Sequence, residues 1–128
     1  MKYLLDTHVF LWYILADSRL SNKAFEIIQS RENDIKVSIV SVWEMIVKST
    51  LGKLPLPRPY HDFILQQVNN HSLSFLEISN NEFRHLEELE RIHKDPFDRL
   101  LICQSIEYNL SFITNDDTIK KYNIQIVY

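Results

Sequence analysis

Acidic side chains stand in this sequence where apolar runs give way to helical ones. Asp6 closes the run Lys2 to Leu5, Ser41 and Glu44 follow Ile35 to Val40, Asp95 and Asp98 open a long helical segment, and Asn115, Asp116 and Asp117 follow Ser111 to Thr114. Carboxylates gathered in one place repel unless protonation or a cation relieves them, and a divalent cation is the more natural relief. No cysteine or histidine set accompanies them at ligand spacing. Hard oxygen donors suit Mg²⁺ or Mn²⁺, with the remaining coordination positions open to phosphate. The expectation is metal-assisted phosphoryl chemistry, in which the ion acidifies a water and stabilises charge developing on phosphate.

Each acid also has a plainly structural reading. Ser41-x-x-Glu44 has the form of a capping box, Asp95 before Pro96 that of an N-cap with proline at the first helical position, and Asp98 complements the dipole of the same helix. Thr7 and Ser41 suit helix capping as well as contact with carboxylates or metal-bound water.

The elements that must position these residues alternate. Strands are expected over Lys2 to Leu5, Ile35 to Val40, Leu73 to Ile78, Ser111 to Thr114 and Ile124 to Val127. Helices are expected over Thr7 to Leu15, Lys23 to Gln29, Ser41 to Leu51, Tyr60 to Asn70, Asn80 to Glu90 and Asp95 to Tyr108, with a helical turn at Asp117 to Tyr122. Gly52, the only glycine, falls where a left-handed helix stop belongs, and Lys53 to Pro59 is a proline-rich connection. Such alternation predicts an α/β fold, a three-layer α/β/α sandwich around a central, mostly parallel sheet. Ligands of such sheets collect beyond the carboxyl ends of the strands, near the point where strand order reverses.

With 128 residues, 45% hydrophobic and 24% charged, the chain is expected to form one domain over 1–128. Its one cysteine, Cys103, excludes an intramolecular disulfide. The start lacks the features of a secretory signal and no window nears 18 apolar residues, so no membrane association and a cytoplasmic location are expected. A net charge of −3 argues against a broad basic surface but leaves room for an acidic pocket that holds phosphate through a metal.

The segments LLDTH at Leu4 to His8, VSIVSVWEM at Val37 to Met45, GKLPLP at Gly52 to Pro57, DPFDRLLICQS at Asp95 to Ser105 and ITNDD at Ile113 to Asp117 resemble the PIN-domain ribonucleases. They are similar in particular to VapC-like toxins of type II toxin–antitoxin pairs. The resemblance implies a Mg²⁺- or Mn²⁺-dependent endoribonuclease with Asp6, Glu44, Asp98 and Asp116 as its acidic pocket. It implies Asp6, Asp98 and Asp116 as metal ligands, directly or through water, and Glu44 as a residue that holds or positions water. Asp116 is preferred to Asp117 because it stands nearer the strand end. Thr7, Ser41, Thr114, Asn115 and Asp117 become candidate supports for the site, and Arg99 a candidate phosphate clamp. The partners implied are an RNA substrate, a cognate antitoxin that silences the enzyme, and a second copy in a homodimer.

Other features carry less. His61, His71, His85 and His93 show no ligand spacing, so packing or surface roles suffice, and His8 is a weak candidate for a general base. Lys94, Lys120 and Lys121 suit surface pairs or RNA phosphates. Trp12 and Trp43, with Ile46, are candidate anchors for the antitoxin. The rival readings are a Mg²⁺-binding phospho-accepting signalling domain and a catalytically silent PIN-like binding module. The first needs a lysine at the end of a late strand, where this chain has Asn115 and Asp116.

Overall fold

In the computed structural model, which describes residues 1–128, strand β1 (Lys2–Leu5) lies at the centre of a five-stranded parallel sheet. Around it stand β2 (Asp34–Ser38), β3 (Ser74–Leu76), β4 (Ser111–Ile113) and β5 (Ile126–Val127), in the order β3-β2-β1-β4-β5. The helices are α1 (Thr7–Ile14), α2 (Asn22–Gln29), α3 (Ile39–Thr50), α4 (Tyr60–Asn70), α5 (Asn81–Glu88) and α6 (Pro96–Glu107), with a short 3₁₀ turn at Ile119–Lys121.

Two apolar cores lie on opposite faces of this sheet, and alternation along the strands assigns residues to them. Tyr3 and Leu5 of β1 pack with Val9, Ile28, Ile35, Val37, Met45 and Ile64, whereas Leu4 packs with Leu101, Ile102, Phe112 and Ile119. In β4, Phe112 and Ile113 divide in the same way. The architecture is therefore the expected α/β arrangement of helices on both faces of a parallel sheet. Cys103 is buried in the second core.

The chain moves outward from β1 through β2 to β3, then returns through α5 and α6 to place β4 on the other side of β1. That reversal opens a crevice at the carboxyl ends of β1 and β4. Register pairs Tyr3 with Ser111 and Leu5 with Ile113, so the next residues, Asp6 and Thr114, emerge side by side.

Local boundaries follow capping chemistry. Ser21 accepts from the Ala24 amide at 3.0 Å and starts α2, and Asp95 accepts from the Asp98 amide at 3.0 Å to start α6 behind Pro96. The expected strand Ile35 to Val40 stops earlier, because Ser38 caps α3 by accepting from the Val40 amide at 3.0 Å. Helix α3 thus begins at Ile39, two residues before the expected Ser41, and the capping-box reading of Ser41 and Glu44 is overturned. Both lie inside the helix and are buried. Gly52 adopts φ +74° just past α3, the conformation expected of a left-handed stop. No helix is long and apolar enough to cross a membrane.

Candidate active site

The N-terminal end of α1 supplies the first carboxylate. Asp6 is 3% exposed and caps α1, accepting from the His8 amide at 3.3 Å, while its other oxygen accepts from Thr114 Oγ1 at 2.6 Å. Burial pushes the Asp6 carboxyl above its ordinary range, against the opposing pull of the Thr114 hydroxyl and of His8. Thr114 Oγ1 also accepts from the Asp116 amide at 3.0 Å, so one hydroxyl couples the ends of β1 and β4.

Glu44 reaches the crevice from the middle of α3 and is 2% exposed. Thr7 Oγ1 lies 2.8 Å from both Glu44 Oε1 and Ser41 Oγ. Its single proton belongs on the carboxylate, which leaves the Ser41 hydroxyl to donate to Thr7. The other Glu44 oxygen takes a hydrogen bond from Lys48 Nζ at 2.5 Å, one turn further along α3. Burial pulls the Lys48 ammonium downward, but the hydrogen bond and charge of Glu44, with those of Asp95 and Asp98 behind, raise it overall.

Asp98 stands in the first turn of α6 and is 8% exposed. Burial, followed by the charges of Asp6, Asp95, Glu44 and Asp116, pushes its carboxyl up to about 8. Asp116, just beyond β4, behaves oppositely. Burial alone would raise it, but the Ile119 amide, the His93 ring and the Thr118 amide outweigh burial and hold it below the usual carboxylate range.

Between these two acids stands His93. Its Nε2 lies 3.1 Å from Asp98 Oδ2 and 3.3 Å from Asp116 Oδ2, and the three ligand atoms fall within 4.8 Å of one another. Its Nδ1 accepts from the Asp95 amide at 3.1 Å, which places the proton of a neutral ring on Nε2. In this arrangement His93 is a donor to the two carboxylates and not a third metal ligand. The packing-or-surface role expected of His93 is thereby corrected: the ring belongs to the site.

The donor set fits a hard divalent cation. A carboxyl raised to about 8 by burial and then by four other acids, facing a second carboxylate, is a charge arrangement that such an ion relieves. The sequence matches the PIN domain family over residues 3–125.

The chain belongs to the PIN-domain family.

Solved structures agree with this PIN fold. VapBC2 from Rickettsia felis, bound to a promoter DNA fragment, is similar over 99% of this chain and 98% of that one, at 16% identity and a TM-score of 0.71. DNA-bound VapBC from Salmonella typhimurium matches over 99% and 97%, at 18% identity and 0.69. FitAcB from Neisseria gonorrhoeae matches over 100% and 97%, at 13% identity and 0.67. No curated protein matches in sequence.

Within the PIN domain, three sequence candidates do not face the acids. Asp117 has its side chain 97% exposed and lies 3.7 Å from Lys120, and Asn115 is exposed and accepts from Lys120 Nζ at 3.0 Å. Arg99 is spent on backbone, donating to the carbonyls of Glu90 at 2.9 Å and of His93 and Leu89 at 3.3 Å. Its expected role as a free phosphate clamp gives way to bracing the loop before α6. His8 is largely exposed, its Nδ1 3.9 Å from Asp6. Trp43 is exposed and packs edge-on against Phe97 with centroids 4.8 Å apart, next to Glu44 and Asp98 in sequence.

Sequence reasoning missed His93 and Lys48. The first has partners 5 and 23 residues away and leaves no local signature. Lys48 was open to detection, since Glu followed four places later by Lys is a favourable helical pair.

Proposed function

We propose that this PIN-domain chain is a Mg²⁺- or Mn²⁺-dependent endoribonuclease that acts as the toxin of a toxin–antitoxin pair. The observation that carries the reading is the convergence of Asp98 and Asp116 with buried Asp6 and Glu44 where the strand order reverses. Asp98 and Asp116 would hold the ion, with Asp6 as the third acid directly or through water. When bound, the ion would supply an acidified water and neutralise charge on the scissile phosphate. Glu44, fixed by Thr7 and Lys48, orients water at the pocket. His93 keeps the Asp98 and Asp116 oxygens turned toward a common point, and Thr114 sets Asp6 against β4.

The toxin role draws support from the fold shared with VapBC assemblies and with a toxin–antitoxin complex from Klebsiella pneumoniae. A cognate antitoxin would silence the enzyme, with exposed Trp43 as a candidate contact, and the active form would be a cytoplasmic homodimer. Any promoter binding would belong to the antitoxin.

Purified, partner-free protein tests this on a mixed RNA pool with Mn²⁺ or Mg²⁺. Cutting is expected, and is expected to stop with chelator and in Asp98→Asn. A folded, antitoxin-free protein that cuts nothing with either ion would shift the reading to a silent binding module or a signalling domain.

A further inference from the structure

A cavity of about 320 Å³ opens beside the acids and is lined only by Arg91, His93, Lys94 and Arg99. Three of these are permanent cations, and none has a carboxylate within 4.0 Å, in a chain whose net charge is −3. The cavity is built rather than incidental. Arg99 ties together the carbonyls of Leu89, Glu90 and His93, and Tyr122 Oη donates to Glu90 O at 2.7 Å while accepting from the amides of Ile92 at 3.2 Å and His93 at 2.8 Å. Two anchors from outside the loop thus hold its backbone in one shape. Arg91 and Lys94 remain exposed, with their charges free.

One residue is common to this cavity and to the acidic pocket. His93 lines the cavity, and its Nε2 touches both Asp98 and Asp116. An anion seated among the cations therefore lies beside the residue that contacts both carboxylates. A free anion gains less from that neighbourhood than a strand does, because five acids repel it from beyond the cations. A strand gains from both, with one phosphate over a cation held by the acids and the next among the basic side chains.

We propose that the cavity seats a backbone phosphate of an RNA strand, adjacent to the phosphate that is cut, and so fixes the strand's register across the acids. The inference rests on the ribonuclease reading. The same chemistry would accept inorganic phosphate, and the experiment separates the two sources.

The test compares Arg91→Gln/Lys94→Gln with a Lys23→Gln/Lys53→Gln control that removes the same charge from other exposed sites. Cleavage kinetics on a short RNA are measured with Mn²⁺, and RNA affinity is measured over a salt series in an Asp98→Asn background, with thermal melts to check folding. The cavity variant should raise KM about tenfold and flatten the salt slope of log K by about 0.7 for each phosphate no longer neutralised, with less than about a twofold change in the control. Equal changes in the two variants would overturn the cavity while leaving the ribonuclease intact. If the parent binds RNA without cutting and only the cavity variant binds it more weakly, the cavity stands and the ribonuclease reading falls. Should the parent fail to bind RNA, or should millimolar inorganic phosphate shift the His93 resonances without competing against RNA, the cavity is no strand site and the proposal fails.

Discussion

Lys48 Nζ lies 2.5 Å from Glu44 Oε2, so the one acid of α3, itself buried, carries its own counter-ion. The ammonium also feels Asp95 and Asp98. A fixed positive charge at the edge of an acidic pocket competes with any divalent ion drawn to the same field. Lys48→Met should therefore tighten Mn²⁺ binding, by about fivefold if the half-exposed charge contributes roughly 1 kcal/mol. Isothermal titration of the two proteins checks this, and weaker binding by the variant would show that Lys48 supports the pocket instead.

Asp98 sets the pH response. Its carboxyl is pushed up to about 8 by burial and neighbouring acids, whereas in the unfolded chain it titrates in the ordinary range near 4. Between those values the folded protein holds a proton that the unfolded chain releases, so metal-free stability is fully present at the acid end and declines as pH rises through about 8. Thermal melts in chelator from pH 5 to 9 should show that decline. Asp98→Asn should flatten it, and added Mg²⁺ should offset it in the parent.

Thr114 joins two strands through one hydroxyl. Thr114→Val keeps the shape but leaves Asp6 without its 2.6 Å donor and the Asp116 amide without its acceptor. The expected loss is about 1–3 kcal/mol of stability, with weaker Mn²⁺ binding because both strand ends are loosened. Denaturant unfolding and metal titration measure the two effects separately.

His93 offers a spectroscopic test of the site. With the Asp95 amide donating to Nδ1, the neutral ring should carry its proton on Nε2, as read by nitrogen-15 NMR at alkaline pH. The same tautomer should persist when Mg²⁺ is added, because the ring donates to Asp98 and Asp116 instead of binding the ion. A switch of the proton to Nδ1 would make His93 a ligand.

Much of this was legible in the residues. The alternation of short apolar runs and amphipathic segments carried the order of strands and helices, since β1 and β4 are buried on both faces whereas helices such as α2 and α4 bury one. The β2 to α3 boundary was misplaced because Ile39 and Val40 read as the end of a β-branched strand, whereas Ser38 caps a helix there. That shift of two residues changes the chemistry inferred for Glu44, from a cap at a helix start to a buried acid in its middle. Asp6 and Asp116 were readable as candidates because they follow strand ends, where backbone direction brings them to one edge, and Asp98 because it stands in the first turn of a helix announced by Asp95 and Pro96. The loop around His93 was not, because its shape depends on Arg99 and Tyr122, contacts that no periodicity encodes.

The carboxylates reach the sheet edge in chain order, and the hydroxyl that secures the first is separated from it by 108 residues. A polypeptide still on the ribosome holds Asp6 without its lock until β4 has slotted beside β1. Synthesis and competence are therefore separated in time: Asp6 and Glu44 leave the ribosome well before the segments that carry Asp98, Thr114 and Asp116.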